Sequence, residues 1–173
     1  MTLETLLVAW AAKYDVETVL ERIVGRGAPV CDPLATRGKR VVVARDDAPP
    51  ETPSFDLVVV HGDEDPSGDW RQWLSALAKR ASKLLVVETK NPRPRSLIAR
   101  ITGASNGEPS WGSTAALAPV LWELGRVREH AFLDAPPGAT RKEAARTATR
   151  HAFVIDVTPR TPQARRKLRL GVV

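Results

Sequence analysis

The chain has 173 residues, 43% apolar and 27% charged, enough for one globular domain and a composition that excludes collagen, coiled coil and wholesale disorder. No apolar run reaches the roughly 20 residues of a membrane span, and Met1-Thr2-Leu3-Glu4 lacks the basic lead-in of a secretory signal, so a soluble cytoplasmic protein is expected. The net charge of +6 is uneven: residues 141 to 173 hold nine Lys or Arg against Glu143 and Asp156, while the first 140 residues hold 17 bases against 18 acids. The organisation expected is a domain over residues 1–158 followed by a basic tail, 159–173.

Leu3, Leu6, Leu7, Trp10, Ala11 and Tyr14 repeat at helical spacing and predict a first helix with one apolar face. Thr18 to Val24 is β-branched and apolar and reads as a strand, broken by Gly25, Gly27 and Pro29. Three apolar runs follow, Val41–Ala44, Leu57–Val60 and Leu84–Val87. None alternates, so each reads as a parallel strand buried on both faces. Trp70, Trp73, Leu74, Leu77, Ala78 and Ala81 carry a helix between the second and third of these runs, started by Asp69 or by Asp65-Pro66, which makes a βαβ unit. Residues 91–112 are rich in Pro, Gly, Ser and Asn and read as a loop with a short helix near Ser96 to Ile101. Ser113 can cap a helix with Leu117, Val120, Leu121 and Leu124 on its inner face. Gly125 closes that helix, and Pro119 should kink it or delay its start. Val127–Leu133 and His151–Val157 read as strands that pair antiparallel at the sheet edge, joined through a Pro/Gly turn at Ala135 to Ala139.

This alternation predicts an α/β fold with a Rossmann-like, mostly parallel sheet, helices on both faces and an antiparallel edge strand near the C-terminus. Such sheets bind ligands at the carboxyl ends of their strands, which directs attention to Glu21-Arg22-Ile23-Val24-Gly25-Arg26-Gly27. At this point the chain resembles the class I S-adenosylmethionine-dependent methyltransferases. The likeness runs through Lys13 to Glu21 as the lead-in to a first strand ending on an acid, and Phe55 to His61 as the family's fourth strand. It continues through Trp73 to Glu88 as the next helix and fifth strand, Leu124-Gly125-Arg126-Val127 before the sixth, and His151 to Val154 as the antiparallel last strand.

The resemblance implies a donor site in which Glu21 takes the acid position, Gly25 and Gly27 take the second and third glycines, and Asp46 holds the ribose. Ile23 stands where the first glycine would be; a β-branched residue resists the tight turn and adds bulk. Arg22 and Arg26 bring positive charge towards a sulfonium cation. Only nine positions separate Asp46 from Phe55. They span about 30 Å at full extension, too little for a crossover and a further strand. The family's third strand and the adenine wall therefore read as missing, which leaves the second strand as a sheet edge that invites a partner.

His61, after a strand, is a candidate general base. His130 and His151 read as structural, and Cys31, the single cysteine, as a buried residue; one cysteine also excludes an internal disulfide. Asp63-Glu64-Asp65 reads as solvated acids, so no metal is expected. Among the five tryptophans, Trp10 and Trp73 read as core, Trp70 as core or rim, and Trp111 and Trp122 as interface anchors alongside Val41 and Val43.

Three functions compete. The first is a methyltransferase-like subunit that no longer holds S-adenosylmethionine alone and partners an active methyltransferase, or a second copy of itself. The second is a minimal active methyltransferase on a small molecule, using Glu21, Gly25, Gly27 and Asp46 for the cofactor and His61 near the acceptor. The third is a nucleic-acid module acting through Arg165, Arg166, Lys167 and Arg169.

Overall fold

A computed structural model of the chain describes residues 1–45, 54–64, 66, 68–90, 111 and 114–158. Asp46, the Asp46–Pro53 loop, Asp65, the short helix expected near Ser96, the Ser113 cap and the basic tail with Arg165, Arg166, Lys167 and Arg169 lie outside the described residues.

Six strands form one sheet: β1 (Thr18–Val24), β2 (Arg40–Arg45), β3 (Phe55–Gly62), β4 (Ala81–Lys90), β5 (Arg126–Leu133) and β6 (Arg150–Asp156), in the order β2-β1-β3-β4-β6-β5. The first four are mutually parallel, and β6 runs antiparallel to both β4 and β5. The expected antiparallel pair therefore closes one end of the sheet, with the reversed strand the inner of the two.

Helices cover both faces. On one side α1 (Leu3–Lys13) and α2 (Asp32–Ala35) pack Leu3, Leu6, Leu7, Trp10 and Leu34 against Val19, Val59 and Val86. On the other, α3 (Trp70–Ala78) and α4 (Thr114–Leu124) pack Leu74, Leu77, Leu117 and Leu121 against Leu20, Val58, Val60 and Val87. Burying both faces of β3 and β4 is what their unbroken apolar runs require; β1 is equally covered although Glu21 and Arg22 interrupt it. Thr2 caps α1, and Asp69 caps α3 by accepting from the amides of Arg71 and Gln72. Pro119 neither delays α4 nor ends it: the helix starts at Thr114 and runs through. Gly125 follows it because a Cβ there would lie 2.4 Å from the Asp156 carbonyl oxygen.

Two expectations need correction. The Val41–Ala44 run is not buried on both faces. Among the described residues it belongs to an edge strand with a neighbour on one side only, and Val43 is 44% exposed. Trp111, expected at an interface, is not exposed. It is buried, its ring edge-on to Trp70 and Trp73 at 5.4 and 6.0 Å, inside the α3/α4 layer. Trp122, by contrast, is 74% exposed, as its position off the α4 stripe implies. Two helices escaped the sequence reading. The first is α2; the second is α5 (Arg141–Thr147), which joins β5 to β6 and buries no residue. A reciprocal capping box between Thr140 and Glu143 starts α5, and the Thr-x-x-Glu spacing was a readable signal for it.

Candidate functional site

Side chains alternate along a strand, so Glu21, His61 and Glu88, each two residues past a core valine (Val19, Val59, Val86), emerge on the α1 face near the carboxyl ends of β1, β3 and β4. All three are buried. Parallel pairing of β1 with β3 sets Ile23 beside His61 and lets the imidazole reach diagonally to Glu21. His61 Nε2 donates to Glu21 Oε1 at 2.7 Å. The same oxygen accepts from the Val30 amide at 2.6 Å, and Oε2 accepts from the Cys31 amide at 3.2 Å. Burial pushes the Glu21 pKa up, but the His61 and backbone donors more than offset it, and the carboxyl sits below its ordinary range. Glu21 is therefore an ionised anchor that holds the Val30–Cys31 turn onto the sheet. Burial and the Glu21 charge push the Cys31 thiol far up, which leaves it a poor nucleophile.

Further along the same face, Arg150 Nη1 stands 3.1 Å from Glu88 Oε1, and Arg150 Nη2 stands 3.0 Å from Asp134 Oδ2. The guanidinium supplies charge to Oε1; among the described residues the Thr89 hydroxyl, on the opposite face, has no hydrogen-bond partner. Burial raises the Glu88 pKa, against the pull of Arg150 and His61.

The glycine turn is closed over by this chain's own side chains. Gly25 adopts φ +82°, and a Cβ there would meet Asp63 Oδ1 at 2.4 Å and Glu64 Cγ at 2.7 Å. Asp63 Oδ1 accepts the Arg26 amide at 2.9 Å, and Lys90 Nζ donates to the Asp63 carbonyl. Gly27 lies beyond, its nearest would-be contact Ile23 Cγ2 at 3.3 Å. Gly62, which the sequence reading passed over, is the tightest position: a Cβ would lie 2.0 Å from the Val24 carbonyl oxygen. The structure thus brings together Glu21, His61, Gly25 and Gly27. Asp63 and Gly62 join them, and Glu88 lies on the same face.

Chemically, the Glu21–His61 pair is a carboxylate–imidazole dyad that fixes the ring with Nε2–H towards Glu21 and leaves Nδ1 as the second nitrogen. A general base must come within about 3 Å of the proton it removes, and His61 is only 4% exposed. Among the described residues no three His, Cys, Asp or Glu side chains converge as a metal site, and no helix is long and apolar enough to cross a membrane. A groove of about 630 Å³ between α3 and α4, edged by Arg71, Lys79, Val120 and Leu124, contains none of the dyad residues.

His130 and His151 form a separate pair near the β5–β6 edge. His130 Nε2 and His151 Nδ1 lie 2.9 Å apart, and the His130 ring stacks on Phe153 at 4.3 Å. Burial, with the charges of His151 and Arg141, lowers the His130 pKa to about 4. A proton-NMR titration should therefore place the His130 midpoint near 4 rather than 6.5. Through that window the unfolded chain takes up a proton that the folded one refuses, so stability should fall as pH drops from 6.5 to 4. A midpoint above 6 would disprove the burial.

No family model matches the chain, and no curated protein matches it. Solved structures do. The magnesium protoporphyrin IX methyltransferase of Synechocystis PCC 6803 with bound SAH is 15% identical, with a TM-score of 0.54, over 88% of this chain and 81% of that one. The same enzyme with bound SAM gives 14% identity and a TM-score of 0.53, over 88% of this chain and 77% of that one. An S-adenosylmethionine-dependent methyltransferase from Clostridium acetobutylicum ATCC 824 is 6% identical, with a TM-score of 0.51, over 90% of this chain and 91% of that one. At these identities the likeness is one of backbone architecture: this chain has the fold of the class I S-adenosylmethionine-dependent methyltransferases.

Proposed function

We propose that this chain is a methyltransferase-fold protein that does not hold S-adenosylmethionine on its own and serves as the non-catalytic partner subunit of an active methyltransferase. The observation that carries the reading is the state of Glu21. Its carboxylate, in the acid position of the donor loop, is fully buried and already accepts from Val30, Cys31 and His61. Ile23 in the first glycine position and the Asp63–Glu64 side chains against Gly25 act in the same direction. A ligand entering there would have to displace bonds that the buried carboxylate needs, at about 1–3 kcal/mol for each donor or acceptor left unsatisfied.

Isothermal calorimetry of the full chain with S-adenosylmethionine and with S-adenosylhomocysteine tests this directly. No heat is expected at millimolar ligand. Saturable binding in the micromolar range would overturn the reading, and so would native protein that purifies as a lone monomer with methyl-transfer activity. The Glu21–His61 dyad favours one other reading, a minimal methyltransferase on a small molecule with His61 near the acceptor; the same titration separates the two.

A further inference from the structure

The free edge of β2 is the most unusual surface of the described fold. Among the described residues β2 pairs with β1 alone, so one side of its backbone presents amides and carbonyls ready to extend the sheet. Its centre, Val41-Val42-Val43-Ala44, is apolar and β-branched, with Val43 44% exposed. Both ends carry exposed arginines, Arg40 and Arg45, and neither has an ion-pair partner among the described residues, whereas the adjacent Lys39 is paired with Glu17 at 2.7 Å.

These charges decide between occupants. A second copy pairing antiparallel over all six residues would set Arg40 opposite Arg45 at both ends, and like charges directly opposite oppose pairing. A strand with acids at those two places gains on both. The arginines are five residues apart and therefore project to opposite faces of the sheet. Acids spaced i and i+5 match them, whereas acids spaced i and i+4 share one face and cannot both do so. We propose that the free edge of β2 is a docking site for an extended segment of another protein, apolar and β-branched at its centre and acidic at positions i and i+5, which adds to the sheet as a seventh strand. This deepens the proposed partner role and rests on it for the identity of the partner, not for the binding itself.

The test is fluorescence anisotropy of the full chain with a fluorescein-labelled peptide, Ser-Glu-Val-Thr-Ile-Val-Glu-Ser. Saturable binding is expected. It should weaken about tenfold when both acids are changed to lysine, since two cross-strand charge pairs are lost and like charges face each other instead. The double variant Arg40→Glu/Arg45→Glu should reverse the preference, favouring the lysine peptide. Both side chains are exposed, and an unchanged circular dichroism spectrum checks that the fold survives. Equal affinity for the two peptides, or no saturation by about 1 mM, would overturn the proposal. A chain that sediments as a dimer and becomes monomeric on Val43→Lys would overturn it in favour of a second copy. The titration reads β2 alone, so it can fail while the donor calorimetry holds, and the reverse.

Discussion

Gly62→Ala should unfold the protein or destabilise it by at least about 3 kcal/mol, read as a shift of the urea midpoint. Gly62 pairs with Val24 across the β1–β3 ladder, and an added Cβ would lie 2.0 Å from the Val24 carbonyl oxygen and 2.8 Å from its carbon and nitrogen. The strands cannot separate locally to make room. The same Val24 carbonyl accepts the Asp63 amide at 3.2 Å, and Asp63 is tied in turn to the Arg26 amide and to Lys90. Gly27→Ala is the informative partner experiment. Its nearest contact is the Ile23 γ2 methyl at 3.3 Å, and that buried, β-branched side chain needs to give by only a few tenths of an ångström. A change within about 1 kcal/mol of wild type is expected there, with the unfolded-state entropy gain set against a small steric cost. Of the two donor-loop glycines, Gly27 is then expected to tolerate a side chain while Gly25, at φ +82°, is not, and Gly62, outside that pattern, is expected to tolerate one least. Gly62→Ala with wild-type stability would mean that the β1–β3 ends do not meet as described.

Glu21→Ala should cost about 3–5 kcal/mol near neutral pH, because it strands the Val30 and Cys31 amides and His61 in a buried site. Glu21→Gln retains the shape but turns an amide NH2 towards groups that are themselves donors, and should still cost about 2 kcal/mol. The pH dependence has a definite sign. The folded-state pKa of Glu21 lies below its unfolded value. Its contribution is therefore complete above the ordinary carboxylate range and is lost as pH falls through the depressed folded value. Urea denaturation from pH 7 down to pH 3 should show a steeper loss in wild type than in Glu21→Gln at the acid end. The His130 contribution appears earlier, between pH 6.5 and 4, and is common to both proteins. Parallel curves for wild type and variant would show that Glu21 is not the ionised anchor.

How far residues alone foretell this molecule depends on the range of the physics involved. The bounds of α1 and β1 and the start of α3 follow from side-chain periodicity and caps within a dozen residues, and lie where Leu3–Trp10, Thr18–Val24 and Asp69 place them; the end of α3 does not, since the helix stops at Ala78 and Ala81, expected on its face, opens β4. Among the described residues no strand lies beyond β2, as the chain length between Asp46 and Phe55 leads one to expect, because a crossover needs a minimum of residues. The α5 helix was equally local, written in Thr140 and Glu143, and was overlooked because its surface bears no apolar face.

Pairings were not local. Glu21 and His61 each attracted attention, but they are 40 residues apart, and only the parallel register of β1 with β3 makes them a dyad; Glu88 joins that face through the β3–β4 register. Trp111 lies in a Pro- and Gly-rich stretch that carries no periodicity, and its burial depends on Trp70 and Trp73 some forty residues earlier. Gly62 is demanded by a carbonyl on a neighbouring strand. Patterns of a few residues select helices, strands and their faces, because backbone geometry repeats at that scale. Which side chain satisfies which, and which surface is left open, is decided when segments distant in the chain are stacked into one sheet.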